Sequence, residues 1–232
     1  MKVLVACEES QTVCKAFLER GHEAYSNDLQ KCSGGVPDRH ILMDARAVMN
    51  GGVMRLETGK KIEIDKWDLI IAHPPCTYLT ISATRHHSLN VTPINWINAR
   101  TKQRILAMDF FMDCVNANAD RIAVENPVGI MNTTYRQPDQ IIQPYQFGHP
   151  VSKKTCLWLK NLPPLIPTEL TEPEMIHSKG ESGGYSGPSW IVRDENGKIL
   201  PYTDPRVAKE RSKTYQGIAD AMAIQWGWKG ET

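Results

Sequence analysis

Six short strand-like runs, most of them separated by stretches with helical periodicity and several stopping at a charged or reactive residue, constrain this chain more than any other feature. They cover residues 2 to 7, 22 to 27, 41 to 43, 67 to 72, 122 to 124 and 155 to 159. The first and fourth are almost wholly apolar, the mark of strands buried on both faces, which occurs where helices cover both sides of a parallel sheet. Ser10 suits the cap of a helix whose Val13, Cys14, Phe17 and Leu18 share one face, and a longer helical pattern runs from about 94 to 117. Strand alternates with helix, so the expected class is α/β, a mostly parallel sheet with helices on both faces.

Between the third and fourth runs the chain is polar, with turns at Gly51-Gly52 and Thr58-Gly59. Residues 161 to 205 are rich in Pro, Gly, Ser and charge, and read as a small irregular insertion. Regular helix returns near Arg206 and runs through Ile218, Ala219, Met222 and Ile224 to Trp226-Gly227. The expected organisation is one domain made of 1–160 and 206–232, with 161–205 inserted as a reduced recognition element. A chain of 232 residues buries a sizeable core without disulfides. Its six cysteines have no close pairs, which argues against a disulfide framework and a tetrahedral zinc site and fits a reducing, cytoplasmic setting. No apolar run approaches the roughly 20 residues that span a bilayer, and the apolar start is too short for a secretory signal. A net charge of +1 excludes binding of duplex nucleic acid by global charge, so any such contact is local.

In open α/β sheets ligands bind beyond the carboxyl ends of the strands. After the first run stand Cys7, Glu8, Glu9, Ser10 and Gln11, after the second Asp28 and Leu29, after the third Asp44 and Ala45. A carboxylate after the second strand suits a ribose diol and one after the third an adenine amino group, which together suggest an adenosyl cofactor; the plainer reading is strand-end or helix-capping acids. The fourth run ends at His73-Pro74-Pro75-Cys76, where two prolines fix the backbone and hold a thiol at the cleft mouth. A lone cysteine is more often a small buried hydrophobe, but Glu125-Asn126-Pro127 ends the next strand and aims an acid at the same pocket.

The Pro-Pro-Cys loop followed about fifty residues later by Glu-Asn at the next strand end resembles the cytosine-5 DNA methyltransferase family, in a small, phage-like, divergent form. The resemblance implies a Rossmann-like methyltransferase fold, S-adenosylmethionine as donor and a flipped-out cytosine in DNA as acceptor. It implies Cys76 as nucleophile at ring carbon 6, Glu125 as the acid at ring nitrogen 3, and Lys153 beside them. Cofactor contacts fall on Cys7, Glu8, Glu9, Ser10, Gln11, Asp28, Leu29, Asp44, Ala45, His73, Pro74 and Gln216. Substrate contacts fall on Pro75, Asn126, Pro127, Arg85, His86 and Lys154. The chain departs from the family pattern in four places: no glycine-rich loop follows the first strand, Pro127 replaces valine, Lys153-Lys154 stand where the family has a Gln-x-Arg-x-Arg strand, and Gln216 stands for an asparagine. Arg85, His86 and His87 suit a loop that meets phosphate better than a metal site, since no carboxylate or thiol is spaced to complete one. Two further readings remain open: carbon-5 transfer to a free pyrimidine nucleotide or from a modified sulfonium donor, and a non-catalytic nucleic-acid-binding module on the same fold.

Overall fold

The computed structural model describes residues 1–84, 93–178, 185–188, 192–201 and 204–227. In chain order they form β1 (Lys2–Ala6), α1 (Thr12–Glu19), β2 (Glu23–Asp28), β3 (His40–Leu42), α2 (Ala45–Met49), β4 (Gly52–Arg55), β5 (Lys61–Ile64), β6 (Trp67–Ala72), α3 (Ile81–Thr84) and α4 (Ile94–Val115). There follow β7 (Ala119–Pro127), α5 (Met131–Thr134), β8 (Gln140–Ile142), β9 (Thr155–Lys160), β10 (Met175–Ser178), β11 (Tyr185–Pro188), α6 (Pro205–Ser212) and α7 (Gln216–Trp226).

The central sheet has the order β3-β2-β1-β6-β7-β9-β8. Its first five strands are mutually parallel, and β9 runs antiparallel to both β7 and β8. Side chains alternate across it, as the strand period demands. Val3, Val5, Leu69, Ile71 and Ala123 pack with Phe17 of α1 and Ile218, Met222 and Trp226 of α7. Leu4, Ala6, Ile70, Ala72, Ile122 and Val124 pack on the other face with Met49 of α2 and Phe111 and Cys114 of α4. Each wholly buried Val, Leu or Ile stabilises the fold by about 1.5–3 kcal/mol, which is why β1 and β6 carry almost no polar residue. The result is a Rossmann-like α/β fold with helices on both faces. No helix among the described residues is long and apolar enough to cross a membrane.

Several boundaries differ from those expected. The polar stretch after α2 contains the antiparallel hairpin β4–β5, in which Ile62 and Ile64 alternate with charged residues. β7 extends well beyond its apolar triplet, because pairing with β9 from Ile122↔Lys160 to Pro127↔Thr155 carries it through polar residues. The early part of the expected insertion joins the core: Leu165 is buried against the α1–α7 layer, and the Trp226 indole donates to the Pro163 carbonyl at 2.9 Å. The C-terminal helix is broken in two, with Lys213 and Tyr215 in extended conformation between α6 and α7.

Gly217 makes that break possible. Its amide donates to His149 Nε2 at 3.0 Å, and a Cβ there would lie 1.8 Å from the Phe147 carbonyl oxygen. The Phe147 carbonyl is backbone and cannot swing aside, so Gly217→Ala is expected to cost about 3 kcal/mol by overpacking, read as a lowered midpoint in chemical unfolding.

Candidate functional site

From β1 the chain moves outward to β2 and β3, then returns to β6 on the other side of β1. Connections leave β1 and β6 in opposite directions, and the crevice between their carboxyl ends is where such sheets bind ligands. Two adjoining cavities open there. The first, of about 320 Å³, is lined by Cys7, Glu8, His73, Cys76, Glu125 and Lys153 among others. The second, of about 260 Å³, is lined by Asn27, Leu29, Met43, Asp44, Ala45 and Phe110, and shares Cys7, Asp28 and Pro75 with the first.

The loop after β1 turns without glycine. Cys7 and Gln11 both take positive φ, 61° and 60°, a conformation that costs a non-glycine residue roughly 1–2 kcal/mol. What offsets that cost is side-chain bonding. Glu8 is buried and reaches ahead to α1, accepting from the Val13 amide at 2.6 Å and the Cys14 amide at 3.2 Å. Gln11 is also buried, donating to Ser26 Oγ at 3.0 Å and the Val36 carbonyl at 2.9 Å and accepting from the Val36 amide at 2.9 Å. These contacts correct the expectation for Gln11. Gln11 lines neither cavity, and Glu8 lines the first while its two oxygens satisfy the helix start. The Val13 and Cys14 amides at the helix start are thereby occupied. Glu9 and Ser10 do line the first cavity.

The Cys76 turn is fastened from below and from the side. The His73 amide donates to the Ala6 carbonyl at 2.9 Å, which extends β6 along β1 by one residue. The Asn126 side-chain amide donates to the Pro74 carbonyl at 2.7 Å, and the Leu79 and Thr80 amides close on the Cys76 carbonyl at 2.9 and 3.2 Å. Behind the turn, Gly129 approaches so closely that a Cβ would stand 2.0 Å from the Leu79 carbonyl. Pro74 is buried, Pro75 exposed and Cys76 half-buried. Burial raises the Cys76 thiol above its ordinary value, against the pull of the Lys153 and Arg211 charges and with a further push from Glu125.

Glu125 meets His73 across the cleft, with Oε2 3.1 Å from Nδ1. Burial opposes ionisation of Glu125, but His73, Lys153 and the Thr214 hydroxyl outweigh it and hold the carboxyl below its usual range. For His73, burial disfavours the imidazolium, while Glu125 and then Glu8 hold it above the usual imidazole range. The two shifts run in opposite directions, and both favour the charged pair of carboxylate and imidazolium. His73, expected at the cofactor, stands in the Cys76 cleft instead, because it continues β6 beside the end of β7. Glu8 is the reverse case among acids, pushed up by burial despite His73 and the two amides it accepts from.

Asp28 lines both cavities and spends Oδ1 on the Gln30 amide at 2.9 Å. Asp44 caps α2 through the Arg46 amide at 2.8 Å and also faces the second cavity, together with Leu29 and Ala45. The Cys7 thiol between the two cavities is pushed up to about 12 by burial, Asp28 and Asp44. Lys153 lies in the first cavity, its ammonium donating to the Arg211 carbonyl at 2.7 Å and standing 5.8 Å from the Tyr215 ring centre. Pro75, Asn126 and Pro127 line the first cavity, and so does Pro74, which the resemblance places with the cofactor. Lys154 and Gln216 do not: Lys154 is exposed, and Gln216 is exposed on α7 and donates to Asp220 Oδ1 at 2.8 Å. Arg85, His86 and His87 lie outside the described residues. Among the described residues, no cluster of three His, Cys, Asp or Glu side chains is placed to hold a metal ion.

The sequence reading missed Arg211, Ser212, Lys213 and Thr214, which line the first cavity from the α6–α7 junction. The signal for them was a polar, basic run inside a stretch read as continuous helix. Comparison of the chain with protein-family models and with curated proteins finds no match in either. The fold and the twin cavities alone define the class: a Rossmann-like α/β chain with a cysteine, a histidine and a glutamate converging at its topological switch point.

Proposed function

We propose that this chain transfers a methyl group from S-adenosylmethionine to carbon 5 of cytosine in DNA through a covalent bond to Cys76. The observation that carries the reading is that Cys76 and Glu125, from the ends of neighbouring strands, line one cleft that adjoins a second cavity of different character. The second cavity fits an adenosyl group. Leu29, Met43 and Phe110 offer apolar walls, Asp28 and Asp44 offer carboxylates, and the buried Asn27 Oδ1 has no hydrogen-bond partner among the described residues. An orphaned acceptor beside an apolar slot suits an amino group on a flat ring. When bound, the donor supplies an electrophilic methyl group and leaves as a neutral thioether.

A pyrimidine carbon 5 is too weak a nucleophile until addition at carbon 6 breaks the ring's conjugation. The Cys76 thiol gives its proton to solvent and its sulfur bonds carbon 6. Glu125 passes a proton from His73, 3.1 Å away, to ring nitrogen 3, so the electron pair displaced by sulfur collects on an enamine whose carbon 5 takes the methyl group. Water takes the carbon-5 proton, the Cys76 thiolate is expelled, and ring nitrogen 3 returns its proton to Glu125 as the ring is restored. Lys153 and Arg211 favour the thiolate that opens and closes the sequence. Asn126 holds the Pro74 carbonyl and with it the position of the sulfur.

Mass spectrometry of nucleosides from cells expressing the chain tests the proposal. The expected result is 5-methylcytosine in DNA that is absent with Cys76→Ala. A heavier group on carbon 5 would instead indicate a modified sulfonium donor, modification confined to the nucleotide pool a free acceptor, and no change in any base a binding module.

A further inference from the structure

The amino-terminal half of α4 carries an arrangement that neither cavity uses. From Ala107 to Cys114 the side of α4 turned toward the sheet is apolar, with Ala107, Met108, Phe111 and Cys114 packed in the core. Further toward the helix start the same stripe is continued by Arg104 and Arg100, seven and eleven residues before Phe111. Apolar residues on this half face outward instead: Trp96 is 64% exposed, Leu106 56% and Ile105 52%. A helix that turns arginines in and isoleucine, leucine and tryptophan out is not built there for core packing.

Both arginines hold the residue two positions after Cys76. Arg104 Nε donates to the Tyr78 carbonyl at 3.1 Å, and the Arg100 guanidinium stands 5.3 Å from the Tyr78 ring centre. Arg100 Nε and Arg104 Nη2 are buried without a hydrogen-bond partner, and among the described residues no carboxylate pairs with either side chain. Two like charges four residues apart repel, and buried charged donors left unmade are costly. Burial and the Arg100 charge both weigh against the charged form of Arg104. Within the described fold nothing neutralises the pair; an anion would.

We infer that Arg100 and Arg104 form a phosphate-binding site beside the Cys76 turn, which anchors the backbone of the nucleic acid that presents its base to the cleft. Guanidinium groups match phosphate oxygens through paired N–H donors. A chain with net charge of only +1 needs such a local device to hold a polyanion. The inference goes beyond the transfer reaction, because binding a phosphate here requires neither Cys76 nor a methyl donor.

The test is binding of a short labelled single-stranded DNA containing one cytosine, of dCMP and of deoxycytidine to the full chain and to Arg100→Gln/Arg104→Gln. The double variant is expected to bind the strand about tenfold more weakly, with a log–log salt dependence shallower by about 0.7 for each phosphate no longer neutralised. Deoxycytidine affinity stays unchanged. An equal fall for dCMP assigns the phosphate to the acceptor nucleotide itself, and a fall confined to the strand assigns it to a neighbouring one. Arg100→Lys/Arg104→Lys, which keeps both charges, is expected to recover most of the salt dependence and shows that folding is not the cause. Strand binding with the parental affinity and salt slope in the glutamine variant overturns the site, as does a parent chain that binds no strand at low salt. Methyl transfer with an unaltered salt slope in that variant would sink the site and leave the transfer reading. Arginine-dependent strand binding by a chain that transfers no methyl group would do the reverse.

Discussion

Cys76→Ser is expected to lower methyl transfer by about 10⁴-fold or more while leaving the affinity for S-adenosylhomocysteine within about twofold. The substitution is nearly isosteric at a half-buried position, and the turn around it is held by the Cys76 carbonyl and the Asn126 contact to Pro74, neither of which involves the thiol. What changes is the nucleophile. Lys153 and Arg211 pull a thiol raised by burial toward the thiolate, whereas a serine hydroxyl in the same place does not reach the alkoxide near neutral pH. Single-turnover kinetics and calorimetric titration on the same preparation separate the two effects. Loss of both activity and cofactor affinity would mean that Cys76 shapes the cleft rather than attacks the base.

Glu125→Gln is expected to reduce transfer by roughly 10²–10⁴-fold and to change how stability depends on pH. The sign follows from the directions of the two shifts. The Glu125 carboxyl, held below its ordinary value of 4.5, contributes stability that is present above that value and is lost as pH falls through the lowered folded value. The His73 imidazole, held above its ordinary 6.5, contributes stability that is present below that value and is lost as pH rises through the raised folded value. The pair therefore stabilises the fold most between about pH 4.5 and 6.5. In Glu125→Gln a protonated His73 is left beside a neutral amide, so the loss should be greatest in that window, about 3 kcal/mol near pH 6, and smaller at pH 8 where His73 can shed its proton. Urea unfolding across pH reads it directly. Equal destabilisation at pH 6 and pH 8 would contradict the charged pair.

The sequence made the sheet legible where burial alone decided the residues. The run 67–72 coincides with β6 because both of its faces are covered, and no polar residue except Asp68, whose carboxylate accepts the Lys2 amide at 2.7 Å, has a place there. β7 was legible only at its middle, since both ends carry polar residues: the first end pairs with β6, and the last owes its strand geometry to β9, a partner about thirty residues away. The convergence of Cys76 and Glu125 was readable because each follows a buried strand and the strands are neighbours. The roles of Glu8 and Gln11 were not. Both lie where a glycine-rich turn was expected, and only the positive φ values of Cys7 and Gln11 reveal that side chains replace glycine in holding that turn. His73 was placed with the cofactor because sequence order groups it with the strand end; its pairing with Glu125 depends on a register that local pattern does not encode. The same holds for 211–214, which reach the cleft only because Gly217 lets α7 start against Phe147 and so breaks the helix.

Transfer through Cys76 requires sulfur to attack a pyrimidine, and a suicide acceptor observes that bond itself. Incubating the chain with S-adenosylmethionine and DNA carrying 5-fluorocytosine blocks the final proton loss, so the account predicts a denaturation-resistant protein–DNA adduct that mass spectrometry maps to Cys76. Methylated product or bound DNA with no such adduct, or an adduct that persists in Cys76→Ser, would contradict it.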